Sequence, residues 1–324
     1  MNNRLRHKDC FSAYRTVFLK SSYAVTTRAP NSIEIPATIV MLARPSKQTA
    51  FGLRAHGATV ILAIILAYLI GSPAVAENAD VTLRRASERT SFTDDEIAQG
   101  FFKVAFGAEL QFGQRVERIR KFDGPVRVFI RNSAKLSRRA EIETIVGDIR
   151  NRVQHLDLEM ASERQTANFF VTLVSARDFR QTVRSMYGRE RAALIQTALK
   201  PQCLSGISKD KYFRIKRAEV ILPVDIGDFG FLDCAYEEML QALGAINDDQ
   251  SLPWTMFNDN VQMGFFDTYD QYILNLIYDP RIHPGMTKDE AHRALPDILS
   301  ALRSRIAKTN SAADAPLARP AAWN

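Results

Sequence analysis

The chain is poor in the residues from which most catalytic and metal centres are built: of 324 residues, five are histidine, three cysteine and two tryptophan. Three cysteines exclude a disulfide-dense scaffold and a four-cysteine zinc module. No stretch carries the GxSxG nucleophile elbow, the phosphate-binding P-loop or the glycine fingerprint of dinucleotide domains. Internal repeats are missing too. The apolar run Ala58 to Ile70 is shorter than the roughly 18 to 20 residues that span a bilayer. What is present, 46% hydrophobic and 24% charged residues, is enough for a sizeable core.

The apolar run follows Lys47, Arg54 and His56 and precedes Gly71-Ser72-Pro73 and Ala74-Val75-Ala76, the order of parts in a signal peptide. The expected export signal is residues 41–76, starting at Met41 and cleaved after Ala76; residues 1–40, without periodicity, are read as an over-extended start. The mature protein is then periplasmic or secreted. The alternative is an uncleaved inner-membrane anchor, the only route by which a membrane partner is expected. No cysteine follows the run, which argues against a lipoprotein. The formal charge of +7 changes meaning on this reading. Residues 1–76 hold nine bases and two acids, and their removal leaves 34 of each, so no nucleic-acid partner is expected. Cys203 and Cys234 remain, an even pair that reads as one disulfide in an oxidising compartment, contributing ~3 kcal/mol. Two buried free thiols are the alternative.

Residues 77–91 are polar and read as a linker, residues 92–300 as a single domain, and residues 301–324 as a helix end with a disordered tail. A capping box, Thr93 with Glu96, opens the first helix. Val126 to Arg131 alternates as a strand, and Ile142, Ile145, Val146, Ile149, Val153 and Leu156 mark the most periodic helix. Asn168 to Ser175 is strand-like, with helices near Asp178 to Met186 and Glu190 to Ala198. A hairpin turns near Lys209-Asp210 and returns through Ala218 to Asp225. Helices follow over Leu232 to Leu243, from Thr268, and from Thr287, the last interrupted by Pro296. The sum is α+β. His155, His283 and His292 read as structural residues, Arg115 to Lys121 as a solvated basic face, and Phe265-Phe266 as core.

Chemistry is concentrated in residues 234–248, Cys-Ala-Tyr-Glu-Glu-Met-Leu-Gln-Ala-Leu-Gly-Ala-Ile-Asn-Asp. Residues four apart share a helical face and can hold one ion. The residue after the first ligand can reach a metal-bound water, and a glycine can turn the chain to bring in a third group. Glu237, Gln241 and Asn247 are the candidate ligands on that geometry, with Glu238 as base, Gly244 as turn and Asp248 beside them. Their oxygens suit calcium, magnesium or manganese better than zinc. No cofactor is expected, and a non-zinc divalent ion is the alternative. The segment also has a structural reading, in which Asp233, Glu237 and Glu238 favour a helix N-terminus, Met239, Leu240 and Leu243 face the core, and Gly244 caps.

The same segment resembles the metzincin zinc-peptidase pattern HExxHxxGxxHD, with Glu237, Gln241 and Asn247 at the three histidine places and Glu238, Gly244 and Asp248 matching. Met256, in Trp254-Thr255-Met256, stands where those enzymes place a methionine turn. The resemblance covers roughly residues 120–280 and implies a metzincin-like fold: a small mixed sheet, an active-site-type helix and C-terminal helices. The chain also resembles an exported proteobacterial family, the domain of unknown function 2927, over about Phe92 to Leu299. That likeness is carried by Glu237 to Asp248, Phe257-Asn258-Asp259, Tyr278 to Arg281 and Pro284-Gly285-Met286. Together the resemblances imply an exported pseudoenzyme with a degenerate metallopeptidase-like domain that binds a peptide or an envelope protein. The alternative is a metal-dependent hydrolase with Glu238 as general base.

Overall fold

A computed structural model of the chain describes residues 77–108, 110, 116–199 and 201–313. The start-site, signal-peptide and cleavage readings, and the tail beyond residue 313, lie outside the described residues. Among the described residues no helix is long and apolar enough to cross a membrane.

Five strands, β1 (Val126–Asn132), β2 (Leu158–Met160), β3 (Phe169–Val174), β4 (Leu204–Lys209) and β5 (Ile215–Pro223), form one sheet in the order β2-β1-β3-β5-β4. All pairings are parallel except that of β4, which runs antiparallel to β5 at one edge. In β1, Val126, Val128 and Ile130 are buried and the residues between them partly exposed, the alternation legible in the sequence. Every residue of β3 is buried, as expected of a central strand covered on both faces. The three-residue β2 is too short to show a period and was not foreseen.

The helices are α1 (Ala79–Ala86), α2 (Asp94–Val104), α3 (Arg139–Arg152), α4 (Ala176–Tyr187), α5 (Arg189–Ala198), α6 (Asp228–Gln241), α7 (Thr268–Tyr278) and α8 (Lys288–Ala313). The mixed α+β class therefore holds. The Thr93–Glu96 capping box forms. So does the one at Thr287, whose hydroxyl accepts from Glu290 N at 3.2 Å while Thr287 N donates to Glu290 Oε2 at 2.8 Å.

Three readings need correction. Residues 79–86, taken as linker, are helix α1, capped by Asn78. Its only buried residue is Val81, and it docks by placing Arg84 over Phe229 and Arg85 over Phe265, each at 4.2 Å; cation–π contacts leave no apolar stripe to read. Pro296 does not interrupt the last helix, which continues through it to Ala313. A mid-helix proline costs about 3 kcal/mol, but Ala291, Leu295, Ile298, Leu299, Leu302 and Ile306 are all buried along α8, and burying the larger of these yields roughly 1.5 to 3 kcal/mol each. Finally, the run ending at Lys121 is no solvated face: Ile119 is fully buried, and Arg120 and Lys121 are buried with it.

Lys121 is buried because α7 requires it. All eleven residues of α7 are buried, so the carbonyls at its C-terminus cannot turn to water. Lys121 Nζ donates to the carbonyls of Ile277 at 2.8 Å, Asp279 at 3.3 Å and Ile282 at 2.5 Å. Burial pushes the Lys121 ammonium down to about 8. At the other end the helix begins at Thr268, as its sequence indicates, and the cap is Asp267, whose side chain accepts from Asp270 N at 2.9 Å. Asp270 in turn accepts from Met256 N at 2.9 Å and from the Thr255 hydroxyl.

The Asp267 and Asp270 carboxyls are both buried and raise each other's hold on a proton. Burial and the neighbouring Asp270 charge raise Asp267 well above the carboxylate range, and burial raises Asp270 to about 6. Glu88 is the further acid nearby, its Oε1 accepting from Thr268 N. Asp267 thus keeps its proton in the fold above the pH at which the unfolded chain releases it. The stabilisation is complete below the ordinary carboxylate range and is lost as pH rises. Asp267→Asn keeps the cap and supplies a permanent donor. Its thermal midpoint, relative to wild type, should rise by several degrees from about pH 4 to about pH 8; a gap that does not change with pH would show that Asp267 does not hold its proton in the fold.

Candidate functional site: an acidic cleft beside the edge strand

Strand β5 leads into α6, and the antiparallel β4 lies alongside. Between them opens a cleft of about 870 Å³, bordered by the whole of β4, by Glu237, Glu238 and Gln241 of α6, and by Asp248 and Asp259 from the loop that follows. Leu110, Met186, Ile195 and Leu199 form an apolar wall. Tyr187 leans over β4 so closely that a Cβ at Gly206 would lie 2.3 Å from its hydroxyl, so any larger residue there would push the Tyr187 ring aside.

The disulfide expected between Cys203 and Cys234 forms, with Cα atoms 6.0 Å apart. It joins the residue before β4 to α6, and both cysteines border the cleft. Gln241 makes a second clamp between the same elements: its Oε1 accepts from the Ser205 hydroxyl at 3.2 Å and its Nε2 donates to Asp248 Oδ1 at 2.7 Å. Gln241 is therefore engaged as a brace.

The sequence-derived ligand set is rearranged. Glu237 faces the cleft. Asn247 does not border it; its amide donates to Lys103 O at 2.9 Å and Asp248 O at 3.1 Å. The acid that takes its place is Asp259, to which the sequence reading gave no role. Carboxylate oxygens of Glu237, Asp248 and Asp259 all lie within 4.8 Å of one another. A loop stitched by Asn258, whose amide donates to Leu252 O at 2.9 Å, and anchored by the fully buried Phe257 carries Asp259 to this point. The available signal was the Asn-Asp pair following a core phenylalanine. Gly244 lies in the turn after α6. Its φ is +134°, and a Cβ there would meet Arg120 O at 2.6 Å. Met256 is buried below α7's N-terminus, held by Asp270.

The macrodipole account of these acids fails, because α6 starts at Asp228 and places Glu237 and Glu238 more than two turns in. Burial, then the charges of Glu238, Asp248, Asp233 and Asp259, push Glu237 up to about 10. Burial and Asp259 push Asp248 up to about 6 against the opposing Gln241 amide. Burial raises Asp233, although Met263 N at 2.8 Å and Gly264 N at 3.1 Å donate to it. Such crowding attracts a proton or another cation. The set does not fit zinc: among the described residues no histidine borders the cleft, and both cysteines there are oxidised. His292 instead stacks on Phe102 with ring centroids 5.8 Å apart, His283 lies in a turn, and His155 has a φ of 59° after α3.

A family model described as protein of unknown function (DUF2927) matches residues 94–297. The chain belongs to this family. The DUF2927 region takes in the sheet, the disulfide and every acid of the cleft, and leaves α1 and the end of α8 outside. No curated protein and no solved structure matches the chain.

Two outcomes check this geometry. Replacing both Cys203 and Cys234 by serine should lower stability by ~3 kcal/mol, read as a shift of the urea midpoint. Gln241→Leu, which deserts both Ser205 and the half-buried Asp248, should cost about 1 to 3 kcal/mol and speed amide exchange in β4; unchanged exchange would show that the brace does not hold the strand.

Proposed function

We propose that the domain has a zinc-peptidase-like fold whose cleft binds an extended peptide segment without cutting it. The observation that carries this reading is that β4, paired on one side by β5, borders the cleft along its entire length. An extended segment can add to such an edge through main-chain hydrogen bonds, with alternate side chains meeting the cleft walls. The acids favour a basic side chain or an amino terminus at one end, and the apolar wall favours an aliphatic residue. A parallel sheet with an antiparallel edge strand, followed by a helix bearing the site, is the arrangement that the metzincin resemblance implies. The partner on this reading is a peptide or protein of the cell envelope, met after export.

Peptides with a lysine or arginine beside aliphatic residues should bind, and their binding should slow amide exchange over Leu204–Lys209. Asp248→Asn should weaken them about tenfold at neutral pH by removing a partly buried charge. If bound peptides leave β4 exchange unchanged, the strand-addition reading fails.

A second reading is favoured by the three converging carboxylates. Glu237, Asp248 and Asp259 form a hard-oxygen set that suits magnesium, manganese or calcium, and Glu238 would then act as general base in a hydrolase. Calorimetric titration with each ion separates the two: heat that disappears in Asp259→Asn supports a metal site, and its absence in wild type removes the hydrolase.

A further inference from the structure

From residue 77 onward the chain is electrically balanced, and acids outnumber bases around the cleft, where Arg120, Arg191, Lys209 and Arg217 are the bases. Asp233, Glu237, Glu238, Asp248 and Asp259 border the cleft. The turn between β4 and β5 is the counterpart: residues 209–217 read Lys-Asp-Lys-Tyr-Phe-Arg-Ile-Lys-Arg, five bases and one acid, and all five bases are exposed. Arg214 pairs with Asp123 at 3.2 Å and Arg217 with Glu219. Lys209, Lys211 and Lys216 have no ion-pair partner among the described residues.

The turn is built to present these groups. Its one acid, Asp210, is used internally, accepting from Tyr212 N at 2.8 Å and Arg214 N at 3.1 Å. Phe213, at a φ of 66°, packs on Gly285, where a Cβ would stand 3.1 Å from its ring. Lys209 lies over that ring at 4.4 Å. Tyr212 is left at the apex, 57% exposed, with Lys211 at 4.9 Å and Arg214 at 5.4 Å from its ring centre.

We propose that this turn docks on a bilayer surface rich in anionic phospholipid, with Tyr212 at headgroup level and Lys209, Lys211 and Lys216 over the phosphates. Two features favour lipid over an acidic protein. The unpaired cations are lysines, compact charges that respond to a diffuse negative field, whereas fixed carboxylates are best met by the guanidinium fork. The exposed apex is a tyrosine, whose apolar ring and polar hydroxyl match the boundary between headgroups and acyl chains. Lys209 also borders the cleft, so docking would bring the cleft to the membrane surface. The proposal does not depend on what the cleft binds.

The test is partition of the full chain into vesicles of phosphatidylcholine alone or mixed equally with phosphatidylglycerol. Residues 1–76 carry nine bases of their own and favour anionic vesicles too, so the turn's share is read as the difference between wild type and its glutamine variant on the mixed vesicles. Wild type should prefer the mixed vesicles, and salt should reduce the preference. Replacing Lys209, Lys211 and Lys216 by glutamine should weaken binding to mixed vesicles about fivefold for each charge removed, at an unchanged thermal midpoint. The corresponding arginine variants should retain binding, and Tyr212→Ser should weaken it without altering the salt dependence. Equal binding of the glutamine variant and wild type would overturn the proposal. So would indifference to phosphatidylglycerol, or capture by an acidic polypeptide in place of vesicles.

Discussion

A helix buried on all sides governs this fold. Helix α7 has no solvent-facing stripe, so each polar group it carries must be met by protein. Lys121 answers its C-terminal carbonyls and Asp267 its N-terminal amides. Asn275 receives Gln154 N at 3.0 Å and donates to Arg152 O at 2.8 Å, which ties down the end of α3. Tyr278 donates to Leu243 O at 2.8 Å and so fixes the chain leaving α6. Asp270 holds Thr255 and Met256. The segments on which the candidate site depends are positioned by the unmet polar groups of this one helix.

The cleft obeys the opposite rule. Its acids lie close enough to repel one another, and their proton affinities rise accordingly. A site of this kind is unfavourable for folding and is retained where it is used. The disulfide and the Gln241 brace, both joining β4 to α6, offset the cost and fix the width of the opening. A rigid cleft loses less entropy when it takes a ligand.

Much of the fold was legible because it follows local rules. The alternation in β1, the 3.6-residue spacing of Ile142, Ile145, Val146 and Ile149, and the two threonine capping boxes each express a periodic or short-range preference. Helix α1 escaped because arginine stacking leaves no hydrophobic period, and α8 because a proline on its exposed side costs less than its apolar stripe returns. At the site, Glu237, Gln241 and Asp248 were found because they share α6 or its immediate exit. Asn247 was chosen and Asp259 passed over because the choice between them depends on how a loop folds back.

The amino-acid sequence by itself determined the element types, the charge balance beyond residue 76, the pairing of the two cysteines and the acidic character of α6. These depend on neighbours along the chain, or on there being only two cysteines left to join. Tertiary structure alone decided that Lys121 is buried, that Asn247 turns away, that Asp259 completes the carboxylate group and that Gln241 is a brace. Each outcome depends on which distant backbone groups are left without water when α7 is enclosed, and no local periodicity carries that information.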